Sequence, residues 1–295
     1  MQIPTREVGG QLYTCPIYIG GEWRTSRGRT EILHNPSRGN PITIVPYCTS
    51  DEVEAAVAAA DQAFASWRAV PVAQRARMLF RYRQLLEQHA EELAALMTLE
   101  QGKTLEEARG SLRRGIEAVE FGCGIPTLMM GETLENIAAG IDTWTLRQPL
   151  GVCVGIPPFN FPAMIPLWMF PLALACGNSF VLKPSDKAPR TAVRLVELLY
   201  EAGLPAGLVN VVHGAKEVVD VLLSDLRVKA VSFVGSSAVA KYIYQLASAN
   251  GKRVQALGSA KNHAIVMPDC DLKATVRAIL GSAFGSAGER CLASS

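Results

Sequence analysis

The sequence predicts an α/β fold built on a doubly wound parallel sheet, followed by the start of a second α/β unit. Three observations carry that expectation. From Gly151 onward, short β-rich runs (GVCVGI, SFVLK, LVNVV, KAVSFVG, RVQAL) alternate with helical stretches at 163–176, 190–202, 216–224 and 238–250. The runs are continuously apolar, as strands buried on both faces are, and recur every roughly 25–30 residues, which leaves room for crossover helices. The segments after the runs are turn-rich: Pro157-Pro158-Phe159-Asn160, Lys183-Pro184-Ser185-Asp186, His213-Gly214 and Gly235-Ser236-Ser237. Sheets of this kind bind ligands beyond the carboxyl ends of their strands, so these loops are the places to look for chemistry.

Taken in order, residues 1–48 mix short apolar runs (Tyr18-Ile19, Ile42 to Val45) with Gly-Gly, Asn-Pro and Ser-Arg-Gly turns, and read as strands and loops of an edge or extension. Asp51 opens a helix, DEVEAAVAAADQAFASW, with acids in its first turn, where the helix dipole favours them. After Pro71 one longer helix is expected, because Leu79, Tyr82, Leu86, Ala90, Leu93 and Met97 recur every three or four residues. Gly102 interrupts it, and a further helix from Leu105 carries Arg109, Arg113 and Arg114. Met129 and Met130 read as gap-filling core or a packing face, and 141–146 alternates like a connecting strand. Beyond the sheet, HAIVM (263–267) looks strand-like, a helix starts at Leu272, and AFGSAGERCLASS closes the sequence. The implied divisions are 1–130 (extension and packing helices), 131–150 (connecting strand), 151–257 (the doubly wound core) and 258–295 (the beginning of a second α/β unit).

Composition narrows the function classes. The chain has 295 residues, 49% of them apolar, and a net charge of +2, too small to suggest nucleic acid or a strongly anionic partner. The 7 cysteines (15, 48, 123, 153, 176, 270 and 291) are scattered and never form C-x-x-C. That argues against a disulfide framework or a zinc site and for a reducing compartment. The N-terminus lacks the pattern of a signal or transit peptide, and the most apolar window, 163–176, contains two prolines and is short for a membrane span. No membrane or metal is expected, and a cytoplasmic location is.

Cys291 sits among small residues directly after Glu289 and Arg290, which leaves room for a substrate and places a guanidinium where it can favour a thiolate. A buried structural cysteine is the plainer reading of that residue alone. Asn160, a polar amide in a rigid apolar loop, is either satisfied locally or kept as a donor for a ligand. Lys183 could bond ribose hydroxyls, with Asp186 close by, but taken alone a solvated Lys-Pro turn is the plainer reading. No G-x-G-x-x-G follows the first strand, although Gly235-Ser236, just before a helix, could present N–H groups to a pyrophosphate or form only a tight turn.

In combination these pieces are far more specific. PFNFP, PLALACGNSFVLKPSD, FVGS and GERC, in that order, resemble the aldehyde dehydrogenase superfamily from about Ile17 onward. Within it, KRVQALGSAKNH and FGSAGERCLA are most similar to the CoA-acylating methylmalonate-semialdehyde dehydrogenase branch. The resemblance implies that Cys291 is the nucleophile and that Asn160, with the Cys291 N–H, stabilises the thiohemiacetal oxygen. Pro158, Phe159, Lys183, Ser185, Asp186, Gly235 and Ser236 would line the cofactor site. Asp186 near the ribose favours NAD over NADP. Arg114 and Arg290 would hold the carboxylate of a small-molecule aldehyde, and CoA would accept the acyl group, with loss of CO2 giving an acetyl or propionyl thioester. Leu257 stands where hydrolytic members carry a glutamate base, and leucine cannot activate water. The branch itself usually has a polar residue there. A hydrolytic aldehyde dehydrogenase with an altered base and a non-catalytic nucleotide-binding fragment remain alternatives. The resemblance also implies a homo-oligomer with 131–150 as an oligomerisation hairpin, and further chain after Ser295, without which an unstable or inactive polypeptide is expected.

Overall fold

The computed structural model describes residues 12–294; the stretch 1–11, searched above for a targeting signal, and Ser295 lie outside the described residues. Five short strands come first: β1 (Tyr13–Thr14), β2 (Ile17–Ile19), β3 (Glu22–Arg24), β4 (Thr30–His34) and β5 (Pro41–Pro46). β1, β5 and β4 make a three-stranded sheet of their own, whereas β2 and β3 join the edge of the large sheet. α1 (Ser50–Trp67) begins at Thr49, whose hydroxyl accepts from the Glu52 N–H while Glu52 reaches back to the Thr49 N–H. This reciprocal cap satisfies two donors that a helix start leaves orphaned.

The single helix expected after Pro71 is two, α2 (Val72–Gln88) and α3 (Ala90–Gln101), broken at His89 (φ −100°, ψ 16°). The predicted stripe survives the break, with Leu79, Tyr82, Leu86, Leu93 and Met97 all fully buried. Gly102 ends α3 in the left-handed conformation (φ 89°), which glycine adopts without steric cost. Thr104 and Glu107 form a second reciprocal cap at the head of α4 (Leu105–Cys123). A short α5 (Ile125–Leu128) follows, and then β6 (Thr133–Ala138) and β7 (Ile141–Trp144), a hairpin exposed along its whole length. Met129 packs against the core, but Met130 is exposed.

The alternating region comes out as read, in the order β8 (Val152–Ile156), α6 (Met164–Ala175), β9 (Ser179–Leu182), α7 (Pro189–Glu201), β10 (Val209–Val211), α8 (Lys216–Ser224), β11 (Val228–Val234), α9 (Ser237–Ala249) and β12 (Arg253–Leu257). The strands lie in the order β12-β11-β8-β9-β10-β2-β3. Neighbours from β12 to β10 are parallel, while β2 is antiparallel to β10 and to β3. The sheet is therefore mixed at one edge. Chain order runs outward from β8 to β9 and β10, then returns to β11 on the other side, so the switch point of the winding lies between β8 and β11.

Alternate residues of each strand feed two cores. Cys153, Phe180 and Leu182 join the side chains of α2, α3, α4, α6 and α7, while Val152, Val154, Ile156 and Val181 join those of α1, α8 and α9. A strand's period of two produces this division, and burial on both faces explains the continuous apolar runs. On the first face α4 lies against α6 at Gly115, where a Cβ would meet Leu167 Cδ1 at 2.6 Å. After β12, α10 (Leu272–Phe284) forms as expected. The strand expected at 263–267 does not, because this stretch finds no strand to pair with among the described residues; only an isolated Asn262–Ser294 bridge forms beside it. No helix among the described residues is long and apolar enough to cross a membrane.

Candidate active site

The loops after β8, β9 and β11 open at the same edge of the sheet, around the switch point. The first carries Pro158, Phe159 and Asn160, all half-buried. After β9, Lys183 is only 7% exposed and no side-chain hydrogen bond is formed by its ammonium among the described residues. Burial pushes that ammonium below its ordinary range, against the pull of Asp186. Asp186 accepts from the Tyr47 hydroxyl at 2.9 Å, and Ser185 Oγ lies 3.4 Å from its other oxygen. Lys187 places its ammonium 4.8 Å from the centre of the Phe159 ring, linking the first two loops. After β11, the Gly235 N–H is taken by the Leu257 carbonyl at 3.0 Å, and Ser236 caps α9 by accepting from Val239. The Gly235 N–H is thus committed within the sheet, and what this turn offers a pyrophosphate is the N-terminal end of α9.

A buried cation without a partner is costly, so an uncommitted ammonium on the strand end next to the switch point is the kind of donor a ribose or another hydroxylated ligand would satisfy. With the Asp186 carboxylate beside it, the donor set fits a dinucleotide. Among the described residues no group of three or more His, Cys, Asp or Glu is placed to hold a metal ion.

The cysteine loop is built differently. After α10 the chain turns through Ser286 (φ 56°), Ala287 (φ 57°) and Gly288 (φ 73°), all left-handed. For the two non-glycine residues this costs about 1–3 kcal/mol each, so the surroundings must impose it. Glu107 accepts from the Ser286 N–H at 2.6 Å, and Gln101 donates to the Glu289 carboxylate at 2.7 Å. Asn160 Nδ2 donates to the Glu289 carbonyl at 2.6 Å, and Asn262 Nδ2 donates to the carbonyls of Cys291 and Ala293. Burial opposes ionisation of Glu107, yet the N–H groups of Ser286 and Thr104 hold its carboxyl below the usual range. Cys291 itself is half-buried.

Asn160 and the cysteine loop are therefore in direct contact, and the second amide N–H of Asn160 has no partner among the described residues. A further group ties them together. Lys103, only 1% exposed, donates to the Asn160 carbonyl at 2.7 Å, and its ammonium lies 4.2 Å from the Phe161 ring centre. Burial pushes this ammonium down to about 8, with Glu107 pulling the other way and Arg290 adding to the fall.

Arg114 on α4 and Arg290 in the cysteine loop both line a cavity of about 450 Å3, together with Ser111, Ser286 and Phe161. They also line a neighbouring cavity of about 360 Å3 with Met164, Trp168 and Leu292. Neither guanidinium forms an ion pair or hydrogen bond among the described residues, whereas Arg113 beside them lies 3.8 Å from Glu117. Two uncommitted guanidiniums facing shared space can grip a planar anion bidentately. Leu257, at the end of β12, is half exposed and carries no titratable group.

Every residue proposed from the sequence thus falls in one of two neighbouring places, the sheet edge or the cysteine loop with its cavities, except Leu257, which closes the last strand. Gln101, Lys103 and Glu107 did not stand out in the sequence. The local signals there are Gly102, which marks a turn, and the T-x-x-E spacing of Thr104 and Glu107, which marks a helix start; neither discloses the contacts with the cysteine loop.

Residues 23–295 match the model of the aldehyde dehydrogenase family. Malonate-semialdehyde dehydrogenase 2 of Geobacillus thermodenitrificans is 60% identical over 283 residues, which are 96% of this chain and 59% of that protein. A methylmalonate-semialdehyde dehydrogenase structure from Oceanimonas doudoroffii superposes with a TM-score of 0.94 at 53% identity, over 96% of this chain and 58% of that one. A Sinorhizobium meliloti structure, described as a candidate methylmalonate-semialdehyde dehydrogenase and complexed with NAD, gives 0.94 at 45% identity, covering 97% and 58%. The chain spans about three fifths of the length of the curated relatives it matches.

Proposed function

Because the chain belongs to the aldehyde dehydrogenase family, we propose that it forms the cofactor-binding and nucleophile-bearing part of an NAD-dependent dehydrogenase for malonate or methylmalonate semialdehyde. The observation that carries this reading is the pair of uncommitted guanidiniums, Arg114 and Arg290, lining one cavity beside the Cys291 loop. A carboxylate held there orients the aldehyde carbon toward the thiol. Lys183, Ser185, Asp186, Pro158 and Phe159 hold NAD at the sheet edge, and the N-terminal end of α9 behind Gly235 and Ser236 faces its pyrophosphate.

Cys291 attacks the aldehyde carbon as a thiolate, and the new oxyanion takes hydrogen bonds from the free N–H of Asn160 and from the Cys291 backbone N–H. The bound nicotinamide supplies the acceptor for the hydride that leaves this carbon. What remains on Cys291 is a thioester. In the proposed second half, the CoA thiolate attacks the thioester carbonyl, and the Cys291 sulfur departs and recovers its proton. Cleavage of the bond to the β-carboxylate releases CO2, and the carbon left behind takes up a proton. Leu257 supports CoA over water as acceptor, since its side chain cannot remove a proton from water, whereas a thiol is partly ionised near neutrality. The exposed β6–β7 hairpin, with Leu134, Ile137, Ile141 and Trp144 on its surface, fits assembly with a second copy. A cytoplasmic location fits the seven free cysteines.

The test is NADH formation by the native full-length protein given NAD and malonate semialdehyde, with and without CoA. The reading expects NADH to stop at about one per active site without CoA and to continue with it, yielding acetyl-CoA. Sustained turnover without CoA would make the protein a hydrolytic aldehyde dehydrogenase.

A further inference from the structure

The arginine-lined cavity is also lined by two serines to which the family resemblance assigns no role. Ser111, on α4, is 4% exposed and Ser286, in the cysteine loop, 2%, and neither hydroxyl has a hydrogen-bond partner among the described residues. Both residues line the cavity that contains Arg114 and Arg290. A buried hydroxyl without a partner costs about 1–3 kcal/mol, so an orphan on a residue that lines a cavity marks a place where a ligand can supply the missing bond. A serine inside a helix ordinarily spends its hydroxyl on the carbonyl one turn back, and Ser111 does not. At Ser286 the backbone is fully engaged: its N–H goes to Glu107, and its carbonyl accepts from Glu289 N at 3.0 Å and Gln101 at 3.4 Å. Only the hydroxyl is left over, on a residue whose left-handed backbone is itself held under strain.

We infer that Ser111 and Ser286 are specificity-determining residues that donate hydrogen bonds to the substrate's carboxylate alongside Arg114 and Arg290; this rests on the carboxylated-semialdehyde reading given above. An ionised carboxylate offers about four acceptor sites, more than one bidentate guanidinium fills. The cavity lining also explains why neutral donors are useful. Glu106, Glu107 and Glu117 line it as well as the arginines. Glu107 is held ionised by its N–H donors, so the cavity is not uniformly positive. Two hydroxyl donors strengthen the grip on an anion without drawing those glutamates into competing ion pairs.

The experiment compares kcat/KM for malonate semialdehyde with that for propanal, its uncharged three-carbon counterpart, in the native full-length protein with NAD and CoA. The ratio of the two is expected to fall about tenfold in Ser111→Ala and in Ser286→Gly, one hydrogen bond to a charged group each, and to return toward wild type in Ser111→Thr, which keeps the hydroxyl. Because both substrates are assayed on one preparation, any loss of folded protein cancels from the ratio. A ratio held at the wild-type value in both the Ser111→Ala and Ser286→Gly variants overturns the inference. A wild-type protein that does not prefer malonate semialdehyde over propanal overturns instead the reading on which it rests.

Discussion

The two halves of the candidate site are held in place by different means. The loops that would bind the cofactor leave the ends of β8, β9 and β11, strands buried between two helical layers, and their positions follow from the sheet's backbone ladder. The cysteine loop has no such support. It follows α10, a helix with no buried residue among those described, and passes through consecutive left-handed residues. A few side-chain hydrogen bonds from Gln101, Glu107, Asn160 and Asn262 hold it. One half is therefore as stable as the sheet, and the other is a spring held by clasps. For the nucleophile proposed at Cys291, strain held in place would help to pre-organise the thiol.

The largest expected effect separates the halves by function. In the native full-length protein, Cys291→Ala should lower NADH formation by at least roughly a thousandfold while leaving NAD affinity intact. Lys183→Met should weaken NAD binding by roughly tenfold to a hundredfold, about the worth of a hydrogen bond from a charged group, as read by calorimetry. Equal effects of both substitutions on NAD affinity would erase the distinction.

The next separates them by pH. His213, at the end of β10, is fully buried, and burial pushes its imidazole down to about 4 from 6.5. The folded protein thus resists protonating a group that the unfolded chain protonates readily. The stability this contributes is whole above pH 6.5 and is lost as pH falls toward 4, on the order of 3 kcal/mol in total. Denaturant titrations at several pH values should show that His213→Gln, which does not titrate, lacks this component of the acid destabilisation. Parallel curves for the two proteins would show that burial does not shift this histidine.

Gln101→Leu removes one clasp. It should raise hydrogen exchange in 285–294 by about tenfold, corresponding to about 1–2 kcal/mol, while β8 and β9 exchange as before. Uniform acceleration would mean that the two halves unfold together. The smallest effect is expected from Ala287→Gly. Glycine relieves the left-handed strain at φ 57°, and the gain is partly offset by the greater freedom of the unfolded chain, which leaves up to about 1 kcal/mol of stabilisation in denaturant titrations.

The same contrast governs what the sequence disclosed. The sheet half was legible because its signals are local: apolar runs mark β8 to β12, Pro and Gly mark the loops, and α8 occupies the expected Lys216–Ser224. Where local signals misled, a non-local reason is visible. The stripe from Leu79 to Met97 concealed the break at His89, because both helices bury the same face against the same core. HAIVM has the composition of a strand but no pairing partner among the described residues. Nothing local says that β2 returns to pair antiparallel with β10. The clasps were the least legible. Gln101 meets Glu289 across 188 residues of sequence and Lys103 meets the Asn160 carbonyl across 57, and nothing in a buried lysine's neighbours distinguishes it from a solvated one. Cys291, Asn160, Arg114 and Arg290 could be proposed because the family resemblance supplied the long-range information that composition and periodicity lack.

The central claim is that Cys291 carries the acyl group. Its most direct test is to incubate the native full-length protein with NAD and malonate semialdehyde in the absence of CoA, quench in acid, and map the peptides by mass. An acyl adduct on the peptide containing Cys291, removed by adding CoA before the quench, is the predicted result. An unmodified Cys291 peptide, or an adduct on another of the cysteines, would contradict it.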